Sequence, residues 1–459
     1  MRTNKLRYLL LLLVFILAFL GLTPFAALAT TPTPPHPHAP TALPATPLWR
    51  IGVITDDLYA LDYATLAAVG VPVTTTAPDA FHLLWREQEV ALDGLGMADG
   101  GFDPGDVFVF YGQKFHGSEQ DEKYTDENVY WLTVDATTPG LRMTSRSVTP
   151  MSALAGVCTN TVIAEQNLLY WARWSTTPGT DATWFWERVQ VSANVTTRTY
   201  MLDAQTPLIA GSDARLVVEV AARNSSPTAP DHHLRLRLND VALGDTYWDG
   251  AIGHIVTVTV PASALREGEN SLAVGYVADT TIQDVYFDRA TLTYRQTPAA
   301  LNGAWACVAA QEGAAAYTVA GLSDAARLYD VSDPLRPVAL TDYTLTGGVL
   351  TLADYAAPGT VYRAAAPALV TLTPYTPDPT LIASPTGADE IIVAPRAFFV
   401  ALEPLVAQRR AQGLRVQVVD VADVYPTFNG GVFHPEAIRA FVMHAYANWP
   451  GPPPRYLLL

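Results

Sequence analysis

The sequence predicts a multidomain, mostly β protein that closes on a parallel α/β unit. Three observations predict this. The chain has 459 residues, more than one hydrophobic core organises. Between about 160 and 298, runs such as RLVVEVAAR, HHLRLRLND, HIVTVTVP and DVYFDRATLTYR alternate between turn residues, as short half-buried strands do. After 388 the pattern becomes strand, helix, strand, helix, strand, the order of a parallel α/β unit.

Composition narrows the function. At 49% hydrophobic and 16% charged residues, the chain can bury ordinary cores. The net charge is −16, and the only basic pair behind the first residues is Arg409-Arg410. No basic stripe exists to follow a phosphate backbone, so nucleic acid is excluded as an expected partner.

The N-terminus reads as an export signal over residues 1–29. Arg2, Lys5 and Arg7 form a positive region, Tyr8 to Leu22 is apolar, and Ala27-Leu28-Ala29 offers small residues for cleavage after Ala29. The apolar run is shorter than the roughly 20 residues a membrane-spanning helix needs. No later segment is long and apolar enough to span, so a secreted or cell-surface protein is expected. Residues 30–47 (TTPTPPHPHAPTALPATP) form a Pro/Thr-rich linker, in which His36 and His38 are spacer residues.

A β-rich N-terminal domain is expected over 48–150. It opens with a strand, turns at Asp56-Asp57, and continues as a short amphipathic helix with Leu58, Leu61, Leu66 and Val69 on its apolar side. FDPGDVFVFYG and NVYWLTVD add strands. Residues 160–298 read as a β-sandwich. Within them, LNDVALGDTYWDGAIGHIVTVTVPASALREGENSLAV resembles jelly-roll modules of the galactose-binding type. It shows a strand ending in Leu-Asn, a strand ending at Pro, and a Leu-x-x-Gly-x-Asn turn. Residues 301–385 read as a small β region followed by the Pro-rich connector TPYTPDPTLIASPTG.

The last unit, 388–459, starts with the strand EIIVAP. Phe398, Leu402, Leu405, Val406 and Arg409 follow helical spacing, and Gly413 caps that helix. Pro404 implies either a kink or a fresh helix start. LRVQVVDV is the second strand. Pro435-Glu436 opens a helix carrying Ile438, Phe441, Val442, Ala445, Tyr446 and Trp449, and RYLLL begins the third strand.

Candidate chemistry is sparse. No phosphate loop, zinc signature or Gly-x-Ser-x-Gly elbow occurs. His116, in DVFVFYGQKFHG, could serve Cys158 as a base, but LAGVCTN places no charge near the thiol, and a solvated loop histidine is the default. Cys158 and Cys307, 149 positions apart, read as buried thiols before a bridge, whose formation the sequence leaves open. His232-His233 alternate across a strand and face opposite sides. His254 is structural. Trp171, Trp174, Trp184 and Trp186 could stack on sugars, though packing between β layers is the commoner use. The acidic loop DEKYTDEN (121–128) is a candidate for calcium, yet its spacing does not fit the twelve-residue loop. Asn194 and Asn224 head glycosylation sequons.

From Glu390 to Leu459 the sequence resembles the start of the gingipain family's peptidase domain. Ile391-Ile392-Val393, Pro404-Leu405, Gln412-Gly413-Leu414, Val419-Asp420-Val421, Val424-Tyr425, Phe428 to Gly431, Pro435 to Arg439 and Pro454-Arg455-Tyr456 carry the likeness in order. TDENVYWLT, FDPGDVFVFYG and TWFWERV resemble segments preceding such domains.

The resemblance implies a caspase-like α/β fold, a cysteine nucleophile with a histidine base, and hydrolysis of protein or peptide substrates outside the cell, with no cofactor evident. In the family both catalytic residues follow later strands, so no residue here is assigned a catalytic, cofactor or metal role. His434 stands where relatives often carry Asp before a helix, as an N-cap variant, and His444 has no motif around it. An apolar strand at RYLLL would leave a sheet edge uncovered, so the chain is expected to be a fragment ending before the catalytic residues. The alternative is a non-catalytic secreted protein binding glycan or protein through its sandwich.

Overall fold

The computed structural model describes residues 48–117, 119–148, 153–172, 183–204, 208–279 and 282–459. All belong to one compact unit, Pro37–Leu459. The expected signal segment and linker, with His36 and His38, lie outside the described residues, as does Trp174. Among the described residues no helix is long and apolar enough to cross a membrane.

The N-terminal body is built from two sheets. One runs in the order Leu372–Tyr375, Leu48–Val53, Asn128–Val134, Phe81–Trp85, Gln88–Val90, and the other Ala368–Leu369, Asp57–Asp62, Val107–Gly112, Asp93–Leu95. Asn128–Val134 (NVYWLTV) is buried along almost its whole length, which explains its continuous apolar run. Tyr130 and Leu132 enter the body's own core. Val129 and Trp131 point the other way, into a second cluster with Val432.

One expectation is corrected here. Leu58 and Leu61 lie on the strand Asp57–Asp62, both fully buried, and not on a helix. The helix is only Tyr63–Ala68, started by the Asp62 side chain accepting from Thr65 N–H at 2.7 Å. Pairing with Val107–Gly112 across the whole of Asp57–Asp62 overrides the local helical spacing.

The sandwich follows the sequence closely. A four-stranded sheet (Asn194–Ala204, Gly268–Ala278, His232–Leu238, Val241–Trp248) faces strands Gly253–Val260, Ala214–Ala222, Gln283–Gln296 and Cys158–Glu165. A shared core fills the space between them. The jelly-roll-like motif has a physical basis. Asn239 and Asp240 both take positive φ, as a two-residue hairpin turn requires. The Asn239 amide donates to Asn270 Oδ1 at 2.8 Å, and Asn270, fully buried, holds the backbone of Arg266 and Gly268. The Leu-Asn turn and the Leu-x-x-Gly-x-Asn turn are thus stitched to each other.

The sheet bearing Cys158–Glu165 does not stop at the sandwich. It continues through Trp305–Ala309, Val361–Ala365, Arg327–Asp330 and Val338–Thr341 to Thr144–Ser147. Leu154–Ala155 pairs with Gly313–Ala320 and Leu372–Tyr375 with Leu48–Val53, so strand pairing crosses the sequence junctions near 150 and 301. At this crossing Cys158 and Cys307 form a disulfide, with Cα atoms 5.1 Å apart. This corrects the reading of two separate thiols. The residues sit on neighbouring antiparallel strands, a proximity that 149 intervening positions conceal.

The C-terminal unit is a parallel sheet in the order Val416–Asp420, Glu390–Ala394, Tyr456–Leu458. Alternate residues of the central strand serve opposite faces. Ile392 and Ala394 meet Val406 of the helix Phe399–Ala411. Ile391 and Val393 meet Val424, Phe428 and Phe441 of the helices Val421–Asn429 and Pro435–Asn448. Pro404 does not restart the first helix, which runs continuously through it. Gly413, at φ +87, follows the helix end as expected. The helix Val421–Asn429 is an addition to the sequence reading. The connector is ordered too: Tyr375 belongs to the N-terminal sheet, while Leu381 is buried in the α/β core, its carbonyl accepting from Trp449 Nε1–H at 3.1 Å.

The entry to the central strand is held by charge. Asp389 accepts from Arg415 through backbone and side chain at 3.0 Å, and these bonds lower its pKa to about 2. A carboxyl depressed in the folded state stabilises above its unfolded pKa of about 4 and loses that contribution as pH falls towards 2. Asp389→Asn is therefore expected to lower the urea midpoint at pH 7 and to match the parent near pH 2. An equal gap at both pH values would contradict the assignment.

Candidate active-site edge

In an open parallel sheet, ligands bind beyond the carboxyl ends of the strands where the strand order reverses. Here the chain leaves the central strand for Val416–Asp420 on one side and returns to Tyr456–Leu458 on the other. The reversal lies between Glu390–Ala394 and Tyr456–Leu458.

A small charged cluster occupies the carboxyl edge beside this reversal, over the neighbouring strands Glu390–Ala394 and Val416–Asp420. Asp420 ends its strand and caps the next helix, with Oδ1 accepting from Ala422 N–H at 3.1 Å. Its Oδ2 accepts from Arg396 Nε at 2.9 Å, Arg396 following directly on the central strand and Pro395. Asp423 is 3.5 Å from Arg396 Nη2. Burial raises the Asp423 pKa, helped by the charges of Asp420 and Asp378, and Arg396 opposes the shift. The cluster can orient a charged group, but it holds no nucleophile. Residues 383–459 contain no cysteine.

The two histidines of this unit are engaged structurally. His434 caps the helix Pro435–Asn448, its Nδ1 accepting from Glu436 N–H at 3.2 Å, as the N-cap reading expects. His444 places Nε2 2.9 Å from the Ile382 carbonyl.

The structure separates the other candidates. His116 Nε2 sits 2.8 Å from Asp56, and this hydrogen bond raises its pKa against the effect of burial. Cys158 is fully buried in its disulfide and supplies no thiolate, which removes the His116–Cys158 dyad. His232 faces Asn224 O and Gln283, while His233 faces Asp279 on the opposite side of the strand. His254 stacks on Trp248. Trp186 packs against Tyr200 and Phe287, Trp171 stacks on Tyr286, and Trp184 meets Tyr170. Trp186 against Tyr200 is packing between the sandwich layers, whereas Trp171 and Tyr286 belong to a separate small cluster with Phe185 and Ala221.

The acidic residues of 121–128 turn to separate partners, among them Gly117 N–H for Glu122 and Arg50 for Glu127, and do not converge. Asn224 spends its amide on Ile282 O and Asp284 N–H, whereas Asn194 is exposed. Sequence reading missed Asp99, Asp103 and Asp106, whose carboxylate oxygens lie within 4.8 Å of one another. The run DGGFDPGD was the available signal, and two of the three carboxylates are exposed.

Residues 383–459 match the family model of peptidase family C25. The match covers the C-terminal parallel unit alone. The match coincides with the parallel unit and its charged edge, and so supports the gingipain-type likeness read from the sequence. Over 90% of its length the chain is similar in fold to dimeric latent PorU from Porphyromonas gingivalis, at TM-score 0.59 and 17% identity. It spans 41% of that PorU chain. Smaller likenesses include the CBM36-1 domain of a multidomain xylanase from the hindgut metagenome of Trinervitermes trinervoides, at TM-score 0.20 and 13% identity. That pairing covers 29% of this chain and 96% of that one. A family 35 carbohydrate-binding module from an environmental isolate gives TM-score 0.18 and 16% identity, over 31% and 88% of the two chains. No curated protein matches the chain. The segment that matches the C25 model thus contributes its sheet and a charged carboxyl edge, joined to a largely β N-terminal region.

Proposed function

We propose that this chain is the N-terminal part of an exported C25-type cysteine peptidase precursor. The observation that carries the reading is the C25 match over a parallel unit with a charged cluster at its carboxyl edge. The cysteine and histidine that hydrolyse protein or peptide substrates lie, in this proposal, beyond Leu459, on strands that extend the same edge. The thiolate attacks the scissile carbonyl, the histidine moves the proton, and backbone N–H groups hold the oxyanion. Within residues 1–459 the Arg396–Asp420–Asp423 cluster borders that site and orients charged groups beside it. The disulfide suits an oxidising compartment, and Arg2, Lys5, Arg7 and the Tyr8–Leu22 run supply the export signal.

The test compares the 459-residue chain with the natural product recovered from the culture medium. The natural product is expected to begin at Thr30 and to cleave a peptide library, with inhibition by a peptidyl chloromethyl ketone. The 459-residue chain is expected to leave the library intact. Cleavage by the short chain, or an inert natural product, overturns the proposal.

A further inference from the structure

The helix Val421–Asn429 is shared between two bodies of the molecule. Its inner side, Val424 and Phe428, is fully buried in the α/β core. Its first turn supplies Asp423, next to the capping Asp420, to the Arg396 cluster. Its far end is held by the N-terminal body. Gly430, at φ +60, ends the helix, and its carbonyl accepts from Trp131 Nε1–H at 2.7 Å.

Gly431, at φ +98, has no room for a side chain. A Cβ there would lie 2.7 Å from Val129 Cγ1 and 2.9 Å from Trp131 Cζ2. Val432 is fully buried among Leu48, Phe115, Val129 and Trp131. Tyr375, from the edge strand of the N-terminal sheet, packs tilted against Trp131, with ring centroids 5.1 Å apart. Its hydroxyl pKa is raised by burial and then by the charge of Asp423. His434 closes the loop, with Nε2 3.1 Å from Asp121 and its ring edge-on to Tyr124 at 5.0 Å.

This helix depends on its neighbours. It has nine residues with Pro426 inside, below the roughly 12–15 residues at which an isolated helix becomes even marginal in water. An element contacted at both ends transmits a displacement from one end to the other. We propose that the N-terminal body clasps the Gly430–His434 loop and thereby fixes the helix Val421–Asn429. Docking of that body then sets the geometry of the Arg396–Asp420–Asp423 cluster at the sheet edge. The clasp is a conformational device in this chain's own residues, independent of which bond the complete protein cleaves.

Hydrogen exchange on the full chain tests it, with Trp131→Phe and Gly431→Ala as variants. The first removes only the indole N–H and some ring area, and the second drives a methyl into Val129 and Trp131. Both are expected to speed exchange of residues 421–434 by about tenfold, the order expected for one lost buried hydrogen bond. Peptides from Gln283–Gln296 and Glu390–Ala394 should keep parental rates, and the Asp423 carboxyl should titrate closer to an ordinary carboxylate. If Gly431→Ala loosens the whole molecule, Trp131→Phe decides alone. Acceleration confined to 430–434, or parental rates throughout 421–434 in Trp131→Phe, overturns the proposal.

Discussion

Removing the Cys158–Cys307 bridge is expected to destabilise the β region by about 3–5 kcal/mol, the largest single effect anticipated for this chain. The chain-entropy account scales with the enclosed loop, and here the two cysteines are 149 positions apart. The bridge also joins the sandwich strand Cys158–Glu165 to Trp305–Ala309, the point at which one sheet passes from the sandwich into the next body. Without it, the ends of the intervening sandwich are held only by strand pairing. The Cys158→Ala, Cys307→Ala double variant should unfold at clearly lower urea concentration than the parent. Reduction of the parent should reproduce most of the loss, which separates the cross-link from any packing defect at two buried sulfurs. An unchanged midpoint under reduction would contradict this assignment.

Asp354→Ala is expected to cost about 2–3 kcal/mol, below the 3–5 of a fully buried broken pair because Arg146 reaches water. Asp354 is 4% exposed, and its carboxylate accepts both Arg146 N–H groups, at 2.5 and 2.8 Å, and the Tyr362 hydroxyl at 2.8 Å. Burial alone would raise its pKa. Arg146 and Tyr362 outweigh burial, and the net direction is down. The contribution is therefore complete above the unfolded carboxyl pKa of about 4 and disappears as pH falls through the folded value. The gap between parent and variant in a urea titration should be wide at pH 7 and close as the pH falls through the folded value. This pair ties Thr144–Ser147 to Val349–Ala356, so it also measures how firmly the early and late segments are interleaved. A gap independent of pH would mean that the carboxylate is not the group holding Arg146.

What the sequence revealed depended on the range of the interactions. The helix Pro435–Asn448 was legible because its start, N-cap and apolar period are all local. The central strand EIIVAP was legible because burial on both faces leaves an unbroken apolar run. Val421–Asn429 was missed for a local reason: it follows its strand directly, Asp420 both ending the strand and capping the helix, and Pro426 interrupts its pattern. Asp420 before Ala422 was the signal available. Leu58 and Leu61 misled because their spacing fits a helix, while pairing with Val107–Gly112 decides otherwise. The disulfide, the Thr144–Ser147 crossing and the clasp at Gly430-Gly431 are contacts between distant positions, which no single stretch records. The two glycines were visible in the family likeness, but their reason, Trp131 lying 299 positions away, was not.

The most direct test of the peptidase account is to map a cysteine-directed peptidase probe on the natural protein by mass spectrometry. The account predicts one labelled cysteine outside residues 1–459. It also predicts that Cys158 and Cys307 are recovered together as a single disulfide-linked, unlabelled peptide pair. Labelling of Cys158 or Cys307 in the folded protein, lost on changing His116 to Ala, would contradict it, because the nucleophile would then lie in the β region and not on the C25 sheet.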